Sequence, residues 1–168
     1  WKPLGKPHTI TKCEGNVVYE IDGRPAVKMY EEYLDSGLSE LQKEIKRVSV
    51  FYPIGLYLAG EEEYLLRNIL SIENNGSMHF QGNVWEGCAI RLMIGTKESC
   101  LDATRQALNE AKKIIFGLGP TIDTHKTQVK NFVLVFDSVS RYMLLKRDAN
   151  REIEIIKNGF PKDTPIIG

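Results

Sequence analysis

The chain has 168 residues, enough for one domain of ordinary size or two small ones sharing a core, and long enough to bury apolar surface without covalent staples. Hydrophobic residues make up 42% and charged residues 26%, and 22 basic against 22 acidic side chains leave no net charge, so nothing electrostatic points to nucleic acid. Cys13, Cys88 and Cys100 are odd in number and widely separated, which argues against a disulfide framework or a zinc site and for a reducing cytoplasm; no apolar run has the length of a membrane span.

In chain order, NVVYEI (Asn16–Ile21) predicts a strand closed by the turn signal Asp22-Gly23. Pro25 suits the first turn of a helix whose face is Ala26, Met29, Tyr30, Tyr33 and Leu34 and which Gly37 ends; a second helix over Leu38–Lys46 has Leu38, Leu41 and Ile45 on one side and Lys43, Glu44 and Lys46 elsewhere. Strands follow at Ile54–Leu58, Tyr64–Ile72, Ser77–Phe80 and Ala89–Ile94, with Asn75-Gly76 predicting a type I′ hairpin turn in an antiparallel meander. Helical periodicity returns from Lys97 to Phe116 and stops at Gly117-Leu118-Gly119-Pro120, before the polar loop TIDTHKTQVK. The tail reads as strand (Asn131–Phe136), helix (Arg141–Asn158) and short strand (Pro165–Ile167), a β-α-β crossover if the two strands share a sheet. The fold class expected is α+β with α/β character: a mixed sheet, an antiparallel meander, flanking helices and the C-terminal β-α-β unit.

Two places draw attention chemically. In FVLVFDSVSR an apolar strand delivers Asp137, Ser138, Ser140 and Arg141 to the start of a helix, where unpaired N–H groups favour an anion; the same residues also suit plain helix capping with a surface ion pair. In YLLRNIL, Arg67 interrupts an apolar strand, and if Leu65 faces the core then Arg67 shares that face and needs a carboxylate or a ligand. Catalytic templates fail: Ser138 and Ser140 lack the glycines of a nucleophile elbow, there is no H-E-x-x-H, and Glu61-Glu62-Glu63 reads as a solvated turn, so no enzyme is expected.

Four segments together resemble the C-terminal half of FIST proteins: EIDGRPAVKMYEEYL, EYLLRNILSIENNGSMHFQGNVWEG, the helix after RLMIGTKES, and FVLVFDSVSRYMLL with its closing helix and TPIIG. The resemblance spans nearly the whole chain and implies that residues 1–168 form one FIST C-like sensory domain. The absence of an initiator methionine and the ending within a strand suggest a piece of a longer protein. The family has a small residue and a cysteine where this chain has Asp137 and Ser138.

The resemblance further implies a small-molecule ligand, amino-acid-like or another small anion. It implies as partners the N-terminal FIST half and a signalling output domain, with homodimerisation as a further option, and no direct membrane contact. Arg67 matches an arginine of the family pattern, so Arg67 and Arg141 are expected to form a carboxylate clamp. Haem-binding members that sense nitric oxide exist, which makes His79, on a strand, the candidate axial ligand ahead of His8 and His125 in loops. The alternative function is an interaction module that docks through apolar residues such as Trp1, Leu4, Phe51 and Tyr52.

Overall fold

The computed structural model describes residues 1–61, 64–117 and 132–168. They form two units, Trp1–Gly95 and Thr96–Gly168.

The first unit is built on a sheet. Its strands are β1 (Lys2–Glu14), β2 (Val17–Ile21), β3 (Arg24–Pro25), β4 (Ile54–Tyr57), β5 (Tyr64–Arg67), β6 (Ile69–Ile72), β7 (Met78–Phe80) and β8 (Ala89–Ile94), with α1 (Lys28–Leu34) and α2 (Leu38–Phe51) between β3 and β4. The strand order is β5-β4-β8-β1-β2-β7-β6, with β3 on β2 off this path, and every pairing in it is antiparallel. The two end strands, β5 and β6, are consecutive in the chain and separated only by Asn68, so the path returns to its start through the backbone. Core residues come from all around this path, including Ile10, Val18, Ile54, Phe80 and Leu92.

β1 bends between two partners. Its first half pairs with β8, and from Ile10 it pairs with β2. A register irregularity between Leu4 and His8 accommodates Gly5, at φ 66°, and Pro7, whose missing N–H would weaken an unbroken ladder.

Both helices offer an apolar stripe. On α2, Leu41, Ile45 and Ser49 recur every four residues and are buried, while Lys43, Glu44 and Lys46 are exposed, as the periodicity predicts. On α1, fully buried Tyr30 donates its hydroxyl to the Tyr52 carbonyl at 2.5 Å. Pro25 does not enter α1. It pairs with Glu20 in β3, and the helix runs from Lys28 to a left-handed Asp35 (φ 50°) before Gly37 is reached.

The type I′ turn expected at Asn75-Gly76 is found at Asp22-Gly23 instead. Asp22 and Gly23 both have positive φ, 51° and 72°, and join β2 to β3 as the two-residue type I′ turn. At Asn75-Gly76 only the glycine is left-handed, at φ 82°, and Gly76 N–H donates to the Glu73 carbonyl at 2.9 Å while Glu73 N–H donates to the Ser77 carbonyl at 2.9 Å. The hairpin is where the sequence puts it, but its loop has three residues, because the Asn75 side chain accepts the Ser77 N–H at 3.0 Å.

The second unit holds α3 (Lys97–Gly117), β9 (Val133–Leu134), α4 (Val139–Leu145), α5 (Ala149–Asn158) and β10 (Ile166–Ile167). β10 pairs parallel with β9, Ile166 beside Val133, so the closing strands do share a sheet around a helical crossover. The expected single closing helix is broken at Lys146, φ 50°, with a 3-10 turn over Lys146–Asp148. The β9 segment is not a buried central strand: Phe132, Leu134 and Phe136 are 64%, 51% and 89% exposed on a sheet of two strands. The whole is α+β, a large antiparallel sheet with helices and a small parallel pair. The polar loop, the end of the Gly117-to-Pro120 stop, His125, Glu62 and Glu63 lie outside the described residues.

Candidate functional site

Direct partners in antiparallel strands point to one face. Leu4 opposes Leu92, Leu92 opposes Ile54, and Ile54 opposes Arg67, so Arg67 lies in the row that carries the buried Leu92 and Ile54. The preceding row is His8, Ile90, Leu56 and Leu65. Leu65 is 37% exposed although Leu56 beside it is fully buried, which marks β5 as the rim of the core face.

Arg67 is the last residue before the chain turns from β5 into β6. Its Nη1 donates to the Leu66 carbonyl at 3.2 Å, while its Nε is buried and has no hydrogen-bond partner. Among the described residues no carboxylate pairs with it. An unsatisfied buried donor on a cation is costly, which sets Arg67 apart from the other arginines of the chain. The corner around it is firmly held. Ser49 of α2 donates to the Ile69 carbonyl at 3.3 Å and accepts the Ile69 N–H at 3.1 Å, and Gln81 N–H donates to the Asn68 carbonyl at 2.8 Å.

Arg141 stands differently. Its Nη2 contacts the Glu152 carboxylate, the Thr104 hydroxyl at 2.8 Å and the Cys100 carbonyl at 3.0 Å, and its Nε lies 3.1 Å from Asp137. Burial opposes the charge, but the hydrogen bond and attraction of Glu152 outweigh it and hold the guanidinium above its usual pKa. Burial also pushes the Cys100 thiol up, against the pull of Arg141. Ser138 is the N-cap of α4, its hydroxyl accepting the Arg141 N–H at 3.2 Å, and Asp137 accepts the Ser138 N–H at 2.7 Å. Ser140 sits half-buried in the first turn. Ser138 therefore carries out the capping role, and Arg141 is engaged within its own unit; Arg67 belongs to the other unit.

His8 is not in a loop. It is 7% exposed on β1, with Nδ1 2.7 Å from Asp22 and Nε2 3.3 Å from the Tyr33 hydroxyl, which also accepts the Lys6 N–H at 3.1 Å. Desolvation raises the Asp22 pKa, but the Thr9 N–H and His8 more than offset it and leave the carboxyl below its usual range. His79 is on β7 as expected, with Nε2 3.3 Å from Glu73 at a half-exposed position. Both ring nitrogens of His8 are engaged and His79 is half-exposed with Nε2 toward a carboxylate, so neither has the apolar surroundings that a haem ligand needs. No metal-binding cluster of His, Cys, Asp and Glu occurs among the described residues.

Sequence reasoning missed one concavity, a cleft of about 220 Å³ lined by Tyr19, Glu20, Gly23, Pro25, Asn75 and Ser77. It lies where β2 passes from β7 to β3, and the two turn signals Asp22-Gly23 and Asn75-Gly76 were its only trace in the sequence. Trp1, Leu4, Phe51 and Tyr52, expected to be exposed, are partly buried, with Leu4 and Tyr52 packed on the core. Other apolar residues are exposed instead: Tyr57, Leu70 and Trp85 in the first unit, and Phe132, Leu134, Phe136, Val139, Tyr142 and Ile167 in the second.

A family model described as FIST C domain matches residues 26–168, and one described as FIST N domain matches residues 1–24. The N-terminal match covers β1 and β2, so the FIST C match begins only after them, at residue 26, and not at residue 1. No curated protein and no solved structure matches the chain. No described helix is long and apolar enough to cross a membrane.

Proposed function

This chain belongs to the FIST family, whose members are sensory domains of signal-transduction proteins, and on that premise we propose that it binds a small anionic metabolite, amino-acid-like in its carboxylate, and relays the event to an output domain in the cytoplasm. The observation that carries this reading is Arg67, a partly buried guanidinium in the core-facing row, with an unsatisfied Nε and no described carboxylate beside it. A planar fork of donors matches a carboxylate, and an anion would supply the partner that the fold withholds. The role falls on Arg67 rather than on an Arg67–Arg141 clamp, since Arg141 is neutralised by Glu152 and Asp137. Asp137 and Ser138 serve to shape the start of α4. No catalytic role is proposed for Ser138, whose hydroxyl is taken up as the N-cap of α4.

The test is a thermal-shift screen against amino acids and small carboxylates on the wild type and Arg67→Ala. A ligand that raises the midpoint of the wild type and not of the folded variant supports the reading; the same shift in both removes Arg67 from it.

A second reading has its own observation. Leu134 and Ile167 are paired neighbours on the small sheet and, with Phe132, Phe136 and Val139, leave apolar surface exposed. Parallel strands are ordinarily covered on both faces, so this surface suits an interacting protein, such as the N-terminal FIST half, an output domain or a second copy. Light scattering with Phe136→Glu tests self-association: a monomeric wild type excludes the second copy.

A further inference from the structure

With Nη1 of Arg67 turned to the Leu66 carbonyl at 3.2 Å, the edge left for a ligand is the side-on one formed by Nε and Nη2. That edge is half closed. Nε is buried, and Gly82 lies against it so closely that a Cβ there would stand 3.0 Å from Nε and 3.3 Å from Cζ. Gly82 holds φ at 111°, a conformation that only glycine adopts without strain, and its N–H folds back on the Phe80 carbonyl at 3.0 Å. The residues on either side are pinned, Gln81 N–H to the Asn68 carbonyl at 2.8 Å and Val84 N–H to the Gly15 carbonyl at 3.0 Å. Between these anchors the Gly82 N–H bond is local, to Phe80, and no backbone hydrogen bond is described for Asn83, so this step is the least tied part of the turn.

We infer that an oxyanion taken side-on by Arg67 displaces the Gly82–Asn83 turn, so that occupancy of the site is converted into a backbone movement at this point. The inference rests on the reading of Arg67 as the ligand-binding residue. A bidentate anion needs both Nε–H and Nη2–H within hydrogen-bond reach, and the turn occupies the approach to the first. The anion therefore binds the form with the turn withdrawn more tightly than the form seen here. That difference in affinity is what any relay requires. It also gives the unsatisfied Nε a purpose: the closed form leaves this donor unpaired, and the ligand satisfies it only in the open one.

The experiment titrates the isotopically labelled full chain with inorganic phosphate and, separately, L-glutamate. It follows the amide resonances of Gly82 and Asn83 and the Arg67 Nε–H, with calorimetry in parallel. The expected result is that all three resonances move and saturate together at the concentration where heat is released, and that Arg67→Lys, which keeps the charge and loses the fork, abolishes the response while the rest of the spectrum is retained. Heat and an Arg67 Nε–H shift with unmoved Gly82 and Asn83 amides would overturn the displacement while leaving Arg67 as the site. No binding of either anion would overturn the displacement and the site reading together.

Discussion

The Ser49 hydroxyl serves both backbone groups of Ile69, accepting its N–H and donating to its carbonyl, at a position 1% exposed. Removing it leaves two buried polar groups without partners, so Ser49→Ala is expected to cost about 2 kcal/mol or more. Urea unfolding checks this: the midpoint falls with the slope unchanged, whereas an unmoved midpoint would show that the bracket contributes nothing. Asp22 supplies the pH dependence at this scale. Its folded pKa is depressed, so its contribution to stability is complete above the ordinary carboxyl range near pH 4 and is lost as pH falls through the lower folded value. Asp22→Asn, which tolerates the same left-handed φ, should therefore flatten the acid limb of a stability-against-pH curve below about pH 4. An unchanged acid limb would assign the loss to other carboxyls.

Among elements, α3, α4 and α5 meet at one buried polar cluster, in which Glu152 is 7% exposed and shares Arg141 with Thr104, itself 2.5 Å from the carboxylate. Removing the cation alone strands a buried charge, a loss of about 3–5 kcal/mol. Arg141→Met is thus expected to be far worse than Arg141→Met with Glu152→Met together; equal losses would show the pair to be uncoupled. Gly76→Ala should also be destabilising, by about 1–3 kcal/mol, because its φ is 82° and a Cβ would meet Val27 Cγ1 at 2.9 Å. Elements of this kind were legible where local signals agree with tertiary packing. The Ala89–Ile94 strand and the start of α3 at Lys97 fall where the residues put them, since alternation and period 3.6 are strong there. β1 was not legible. KPLGKPHTITKCE has two prolines, a glycine and little alternation, and it is a strand only because β8 and β2 hold its two halves, with the bulge absorbing Gly5 and Pro7. The strand FVLVF was misread for the opposite reason: an apolar run signals a buried strand, but two of its residues pair here and alternate ones face outward.

For the whole molecule, the family is established by the match over residues 26–168. Of the candidate site, Arg67 was recognisable in the sequence as a cation within an apolar strand, whereas its lack of a partner follows from the path of β4, β5 and the 81–84 turn, which no local pattern encodes. Arg141 showed the same outward signal and proved to be internally paired, because Glu152 arrives from a later helix. The functional reading turns on an anion binding at Arg67. The most direct measurement is calorimetric titration of the full chain with a panel of amino acids and small dicarboxylates, repeated with Arg67→Lys. Saturable binding of at least one carboxylate to the wild type is expected, with a loss of at least tenfold in affinity, about 1.4 kcal/mol, for the variant. Binding of equal strength by both proteins, or by neither, would contradict that reading.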